Sequence, residues 1–201
     1  MKNKFRSILL LPLLALAGNA YADLADLPAG DYGLDKNHAY ITFSYSHLGF
    51  STPHIAFDSF DLNLSLDPEN PENSSVTITI DATSINSRVD RFDGHLNGPN
   101  FFDTANHPEI TFQSTSISST GEDTFDVVGD LTIKGITNSI TLNTTINKAA
   151  NHPMRKTPIV GMSGEAKVLR SDWGLDRALP NVGDEITIYV TAEMPKVAAA
   201  E

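Results

Sequence analysis

From Asp23 onward, apolar and polar side chains alternate with a period of two, segment after segment, and this pattern confines the chain to β structure. Ile41, Phe43 and Tyr45 alternate with Thr42, Ser44 and Ser46. Phe60, Leu62, Leu64 and Leu66 enclose Asp61, Asn63 and Ser65, and Val76, Ile78 and Ile80 are separated by Thr77 and Thr79. The same alternation returns at Ile110 to Phe112, Phe125 to Ile133, Ile140 to Leu142, Met162 to Val168 and Ile186 to Met194. With the short stretch Asp31 to Leu34 this predicts about nine strands. Turn residues punctuate them: the Pro-rich Asp67 to Asn73, then Gly121-Glu122-Asp123, then Lys134-Gly135 at the centre of a hairpin. Sequential strands joined by short turns form an antiparallel meander. An open sheet of that size exposes two long edges, so the chain is expected to close as a barrel or pack as a sandwich, and periodicity does not choose between them.

The first 22 residues read as an address. Lys2, Lys4 and Arg6 precede the apolar run Ile8 to Ala17, and Ala20-Tyr21-Ala22 has the small-x-small form that a signal peptidase accepts. The expectation is a cleaved signal peptide over 1–22, a single domain over 23–201, and export. No later apolar run reaches the length of a membrane-spanning helix, so no membrane-spanning segment is expected. Acidic residues outnumber basic ones 25 to 14, a formal charge of −11, and cleavage after Ala22 would remove three of the positive charges. Such a surface repels phosphate backbones, which makes nucleic acid a poor partner. The chain has no cysteine, which excludes disulfides, thiolate metal sites and a thiol nucleophile.

One stretch departs from the alternation. Between Arg88 and Leu96 the apolar residues Val89, Phe92 and Leu96 recur at helical spacing, with Arg88, Arg91 and His95 as an adjacent basic stripe. About nine residues do not hold a helix alone in water, so this short amphipathic helix is expected to lie on the β structure and close one end of it. It runs into Gly98-Pro99, followed by the loop aromatics Phe101 and Phe102.

Catalytic signatures are missing: the sequence has no nucleophile elbow, no phosphate-binding glycine loop and no His-Glu-x-x-His. No two of the six histidines share the spacing that aims paired imidazoles at one ion, so neither a metal nor a cofactor is expected.

Four ordered motifs carry a resemblance. Asp93-Gly94-His95-Leu96 is followed by Phe101-Phe102-Asp103 with His107-Pro108-Glu109-Ile110-Thr111-Phe112. Then come Gly129-Asp130-Leu131-Thr132-Ile133-Lys134-Gly135-Ile136-Thr137 and Arg170-Ser171-Asp172-Trp173-Gly174. Together with the opening Tyr32 to Leu48, they resemble the YceI family of exported polyisoprenoid-binding proteins over nearly all of the chain after Ala22. Two positions depart from that family's pattern: Asn97 stands where a basic residue commonly follows the His-Leu pair, and Asn100 where an Asp commonly precedes the aromatics.

The resemblance implies an all-β fold: an antiparallel, eight-stranded, lipocalin-like β-barrel with a short amphipathic helix. Its apolar interior would take an isoprenoid lipid such as a polyisoprenoid or the tail of an isoprenoid quinone, and some members form a homodimer. On that reading the cavity wall is expected to include Phe43, Tyr45, Phe57, Leu62, Ile78, Phe92, Leu96, Phe101, Phe112, Val127 and Trp173. Arg91 and His95, at the mouth, are expected to meet a polar head group. The expected function is therefore non-enzymatic binding, storage or transport of the lipid. Two alternatives stand beside it: an enzyme with His95 and Asp93 or Asp103 as acid and base, and a protein-interaction module whose barrel is filled by its own side chains.

Overall fold

The computed structural model describes residues 24–198. The leader over 1–22 lies outside the described residues. Each of the nine alternating segments is part of a strand, and two further short strands bring the sheet to eleven. In chain order they are β1 (Gly30–Gly33), β2 (Ala39–His47), β3 (His54–Phe57), β4 (Phe60–Leu66), β5 (Ser75–Asp81), β6 (Ile85–Asn86), β7 (Glu109–Ser119), β8 (Thr124–Ile133), β9 (Ile136–Asn151), β10 (Pro158–Leu169) and β11 (Val182–Pro195). All pairings are antiparallel, in the order β1-β4-β5-β7-β8-β9-β10-β11-β2-β3-β6.

The expectation of eight strands is corrected to eleven, and the closed barrel to a strongly curled half-barrel. The additional strands are β3, four residues that pair with the end of β2, and β6, two residues that pair with β3. Both are too short to show a period. The sheet curls until β1 meets the residues that follow β11. Tyr32 bridges Lys196, and the Val197 N–H donates to the Asp31 carbonyl at 2.9 Å.

The hairpin at Lys134-Gly135 follows from backbone chemistry. Ile133 pairs with Ile136, and both central residues have positive φ, 52° and 72°. That is the turn whose twist matches antiparallel strands, and glycine tolerates its second position. Along β7 and β8, Phe112 lies across Gly129. A Cβ on that glycine would fall 2.6 Å from the Gln113 carbonyl oxygen and closer still to the Phe112 ring. Gly129 therefore gives Phe112 its place on the inner face.

The helix α1 spans Asp90–Asn97, two residues later than expected at its start. Asp93 fixes the entry by accepting the Ser87 N–H at 2.7 Å, and the Gly98 N–H closes the end on the His95 carbonyl. Leu96 is buried, Phe92 is half-buried, and Arg91 and His95 face outward.

Candidate ligand-binding site

The inward side chains of the curled sheet do not fill it evenly. At the end formed by β1, the start of β10 and the finish of β11, Tyr32, Leu62, Leu64, Val76, Phe125, Val127, Val160, Met162 and Met194 pack solidly. The Tyr32 hydroxyl donates to the Pro28 carbonyl at 2.7 Å, and the Lys196 ammonium lies 5.0 Å above its ring. The other half of the interior is a cavity of about 730 Å³. It is bounded by the end of β2, β3, the end of β5, the start of β7, the ends of β8 and β10, and the starts of β9 and β11, with α1 and the segment after β10 laid over it.

Of the eleven apolar and aromatic residues expected on the wall, Phe43, Tyr45, Phe57, Ile78, Phe92, Leu96, Phe101, Phe112 and Trp173 line this cavity. Leu62 and Val127 do not; both lie in the solid half. Arg91 and His95 stand outside the lining, exposed on the far side of α1. The remaining wall is mostly Ile41, Ile55, Ile80, Ile110, Leu131, Ile133, Ile140, Leu142, Val168, Ile186, Ile188 and Val190, which the alternation had placed on apolar faces without distinguishing lumen from core, save Ile55 on the unforeseen β3. Phe102 also lines it and completes an aromatic cluster. Its ring lies 6.1 Å from Phe43 and 5.8 Å, edge-on, from Phe57, while Phe43 and Phe57 are 5.9 Å apart.

Trp173 occupies a seam in the wall. The pairing of β9 with β10 stops at Asn143 and Glu165, although each strand continues beyond that point on its other side. The indole fills the gap between Ile140 and Val168, and its N–H donates to the Leu131 carbonyl at 3.1 Å. The Asn138 amide, which donates to the Asp172 carbonyl at 3.0 Å, ties β9 to the turn that follows β10 at the same gap.

The buried cation beside the cavity is already satisfied. Arg170 donates through its three guanidinium nitrogens to the carbonyls of Gly183, Leu175 and Val182. Burial pulls its pKa down from the ordinary value, while Asp184 and Asp176 oppose that shift. Arg170 thus pins the chain reversal between β10 and β11, with each of its three nitrogens committed to a backbone carbonyl. Tyr45 differs: its half-buried hydroxyl makes no hydrogen bond to any described residue, and burial pushes its pKa up. It is the free polar group on the wall best placed to meet a polar atom among apolar neighbours.

The acid–base arrangement considered from the sequence is not assembled in the cavity. Asp93 is turned to the Ser87 backbone, both Asp103 oxygens accept from Asn106, and neither residue lines the cavity any more than His95 does. Sequence reasoning missed one cluster at the solid end. Asp35, His38 and Glu193 bring potential ligand atoms within 4.8 Å of one another. The buried Asp35 carboxylate already accepts from the Asn37 N–H, from His38 and from Arg155 at 3.1 Å, and together these hold its pKa at about 2. The cluster is accordingly an ion pair that locks the β9–β10 hairpin loop onto the β1–β2 junction. Among the described residues no helix is long and apolar enough to cross a membrane.

Comparison with known proteins agrees with this architecture. Protein YceI of an Escherichia coli strain is 31% identical over 195 residues, covering 96% of this chain and 97% of that one. A UPF0312 protein of Azotobacter vinelandii is 33% identical over 184 residues, covering 90% and 95%. Among solved structures, BcnA of Burkholderia cenocepacia superposes with a TM-score of 0.72 at 21% identity over 82% of this chain and 99% of that one. A polyisoprenoid binding domain from Saccharophagus degradans, described as implicated in plant cell wall breakdown, superposes with a TM-score of 0.64 at 16% identity over 85% and 100%. Residues 32–194 match the model of the YceI-like domain, and with relatives above 30% identity along almost their whole length the chain belongs to the YceI-like family.

Proposed function

We propose that this protein binds a polyisoprenoid lipid, such as the tail of an isoprenoid quinone, non-covalently in the open half of its curled sheet, and stores or carries it through the periplasm. The observation that carries the reading is a cavity of about 730 Å³ walled by isoleucine, leucine, valine and aromatic side chains, with the buried Arg170 beside it held by three backbone carbonyls. That volume lies inside the ~300–1,000 Å³ range of small-molecule sites. An isoprene unit carries about five carbons, so at about 0.8 kcal/mol per buried carbon group each unit contributes about 4 kcal/mol before ordering costs. Two or three units bring affinity to about the micromolar range with no charged contact. The Saccharophagus domain of the same fold, named for polyisoprenoid binding, supports the ligand class.

The polar contact moves from Arg91 and His95 to Tyr45, whose free hydroxyl is the group on the wall to meet a quinone carbonyl. The sequence features of the leader support export. An interior left this open counts against a self-filled interaction module. The test is native mass spectrometry of protein recovered from a bacterial periplasm, followed by organic extraction. A stoichiometric prenyl lipid is the expected result, and a protein that stays at its bare mass after incubation with prenyl lipids defeats the reading.

A further inference from the structure

Three short segments border the cavity at one end, and each carries exposed apolar or cationic side chains. The β2–β3 turn carries Leu48 and Phe50, with Phe50 90% exposed at its tip. The segment before α1 carries Arg88 and the exposed Val89, and the loop before β11 carries Arg177. His47, Pro53, Ser87, Val89, Arg177 and Ala178 on these segments line the cavity itself, so the three together form its rim. The rim is also built to hold its shape. Leu48, Arg88 and Ala178 each adopt a left-handed backbone (φ 56°, 66° and 67°), and the Leu48 N–H donates to the Asn181 carbonyl, joining two of the segments.

Large exposed apolar side chains are individually ordinary. Here three of them stand on segments that border one end of an apolar cavity, together with three arginines, Arg88, Arg91 and Arg177, that make no ion pair or side-chain hydrogen bond to any described residue. Asp90, Asp93 and Asp176 accompany them, which leaves the rim close to neutral on a chain whose formal charge is −11. The acidic body is repelled by an anionic lipid surface; the rim is the end that can approach one.

We propose that this rim is a bilayer-docking surface: Phe50, Leu48 and Val89 enter the headgroup–acyl boundary while Arg88, Arg91 and Arg177 meet phospholipid phosphates. The cavity mouth is thereby brought against the membrane from which a lipid enters. The inference rests on the isoprenoid-binding reading for its purpose. It rests on the rim alone for its geometry, so the two can fail separately. The same arrangement of a buried apolar strip flanked by arginine is what holds amphipathic surface helices at lipid interfaces.

The test is flotation of protein recovered from a bacterial periplasm with vesicles of phosphatidylethanolamine and phosphatidylglycerol that contain no prenyl lipid. Prenyl uptake from cyclodextrin, with no bilayer present, is measured in parallel. The parent is expected to float with the vesicles. Leu48→Ser with Phe50→Ser removes the half-exposed Leu48 and the almost fully exposed Phe50 side chains, neither of which lines the cavity, and it is expected to lower partitioning roughly tenfold or more. Replacing Arg88 and Arg91, which stand outside the cavity lining, by Gln is expected to lower it and to weaken its salt dependence. Both variants are expected to take up prenyl lipid from cyclodextrin as the parent does. A parent that stays off the vesicles while binding prenyl lipid overturns the docking surface and leaves the ligand reading intact. Variants that float as well as the parent overturn it too, as does a soluble dimer that buries Phe50 and ignores vesicles.

Discussion

Ile188 and Leu62 point into the same curled sheet from opposite ends, and replacing them separates a lumen from a core. Ile188 stands on β11 opposite Phe43 and is half-buried because it borders open space; Leu62 on β4 is fully buried in the solid half. Ile188→Trp adds about six heavy atoms, close to the five carbons of one isoprene unit, and a lumen of 730 Å³ accepts them without the strain of overpacking a filled core. The stability of the lipid-free protein is therefore expected to change by less than about 1 kcal/mol. Bound lipid loses the room of one unit, about 4 kcal/mol gross; with half of that offset by reduced ordering, affinity falls by about 2 kcal/mol, roughly thirtyfold. Leu62→Ala reverses the pattern, costing about 2–5 kcal/mol of stability while the folded protein keeps its affinity. Denaturant unfolding without lipid and titration with a fluorescent prenyl probe measure the two quantities. If Ile188→Trp binds as tightly as the parent, or Leu62→Ala weakens binding as much as Ile188→Trp, the division of the interior into lumen and core is refuted.

Asp35 gives a pH dependence with a definite sign. Its folded pKa of about 2 lies below the ordinary 3.8, so its contribution is complete above about pH 4 and is lost as pH falls through 2. Because His38 and Arg155 stand about half in water, that contribution is at most about 1–2 kcal/mol. Asp35→Asn should flatten the fall in unfolding free energy between pH 4 and pH 2; an unchanged slope rejects the assignment. Gly129→Ala places a methyl group against the Phe112 ring and the Gln113 carbonyl, and is expected to cost about 1–3 kcal/mol and to shift the Phe112 ring resonances. A melting temperature equal to the parent's would show that the ring has somewhere else to go.

Alternation was enough to recover every strand longer than four residues, because in a one-sided sheet each inward position must be apolar. It could not reveal β3 and β6, whose four and two residues are strands only because β2 offers an edge to β3 and β3 offers one to β6. The helix was legible as an amphipathic pattern, yet the role given to its basic stripe was not. Once Phe92 and Leu96 turn toward the lumen, a helix of eight residues leaves Arg91 and His95 no direction but solvent. The motif reading supplied the family but carried an eight-stranded closed barrel with it, which the eleven-stranded half-barrel corrects. Trp173 serves as both wall and plug because it fills the seam where β9 and β10 part, and a lone tryptophan in a sequence does not disclose that geometry.

Leu62 and Val127 were placed on the wall because period two identifies a face and says nothing of height along the strand. Side-chain shape marks part of that height on β10 and β11, although Val76 and Val160 in the solid half and the aromatics around the cavity do not follow it. Toward the mouth the inward residues are predominantly isoleucine and valine: Ile78 and Ile80 on β5, Val168 on β10, and Ile186, Ile188 and Val190 on β11. Such side chains are branched at Cβ, are stiff at χ1 and stop short of the axis, so a ring of them encloses space. Toward the other end the same strands continue into Met162 on β10 and Met194 on β11, where Tyr32 and Leu62 face them. Long unbranched chains and an aromatic ring reach across, and methionine fills whatever gap remains. Met162→Val with Met194→Val extends the isoleucine–valine ring downward. It is expected to cost about 1–2 kcal/mol per site without lipid, and to shift preference toward prenyl chains longer than those the parent holds best. The measurement is affinity across a series of prenyl alcohols of increasing length. A double variant that loses stability but keeps the parent's length preference would show that the lumen's floor is set by Tyr32 and Leu62 and not by the methionines.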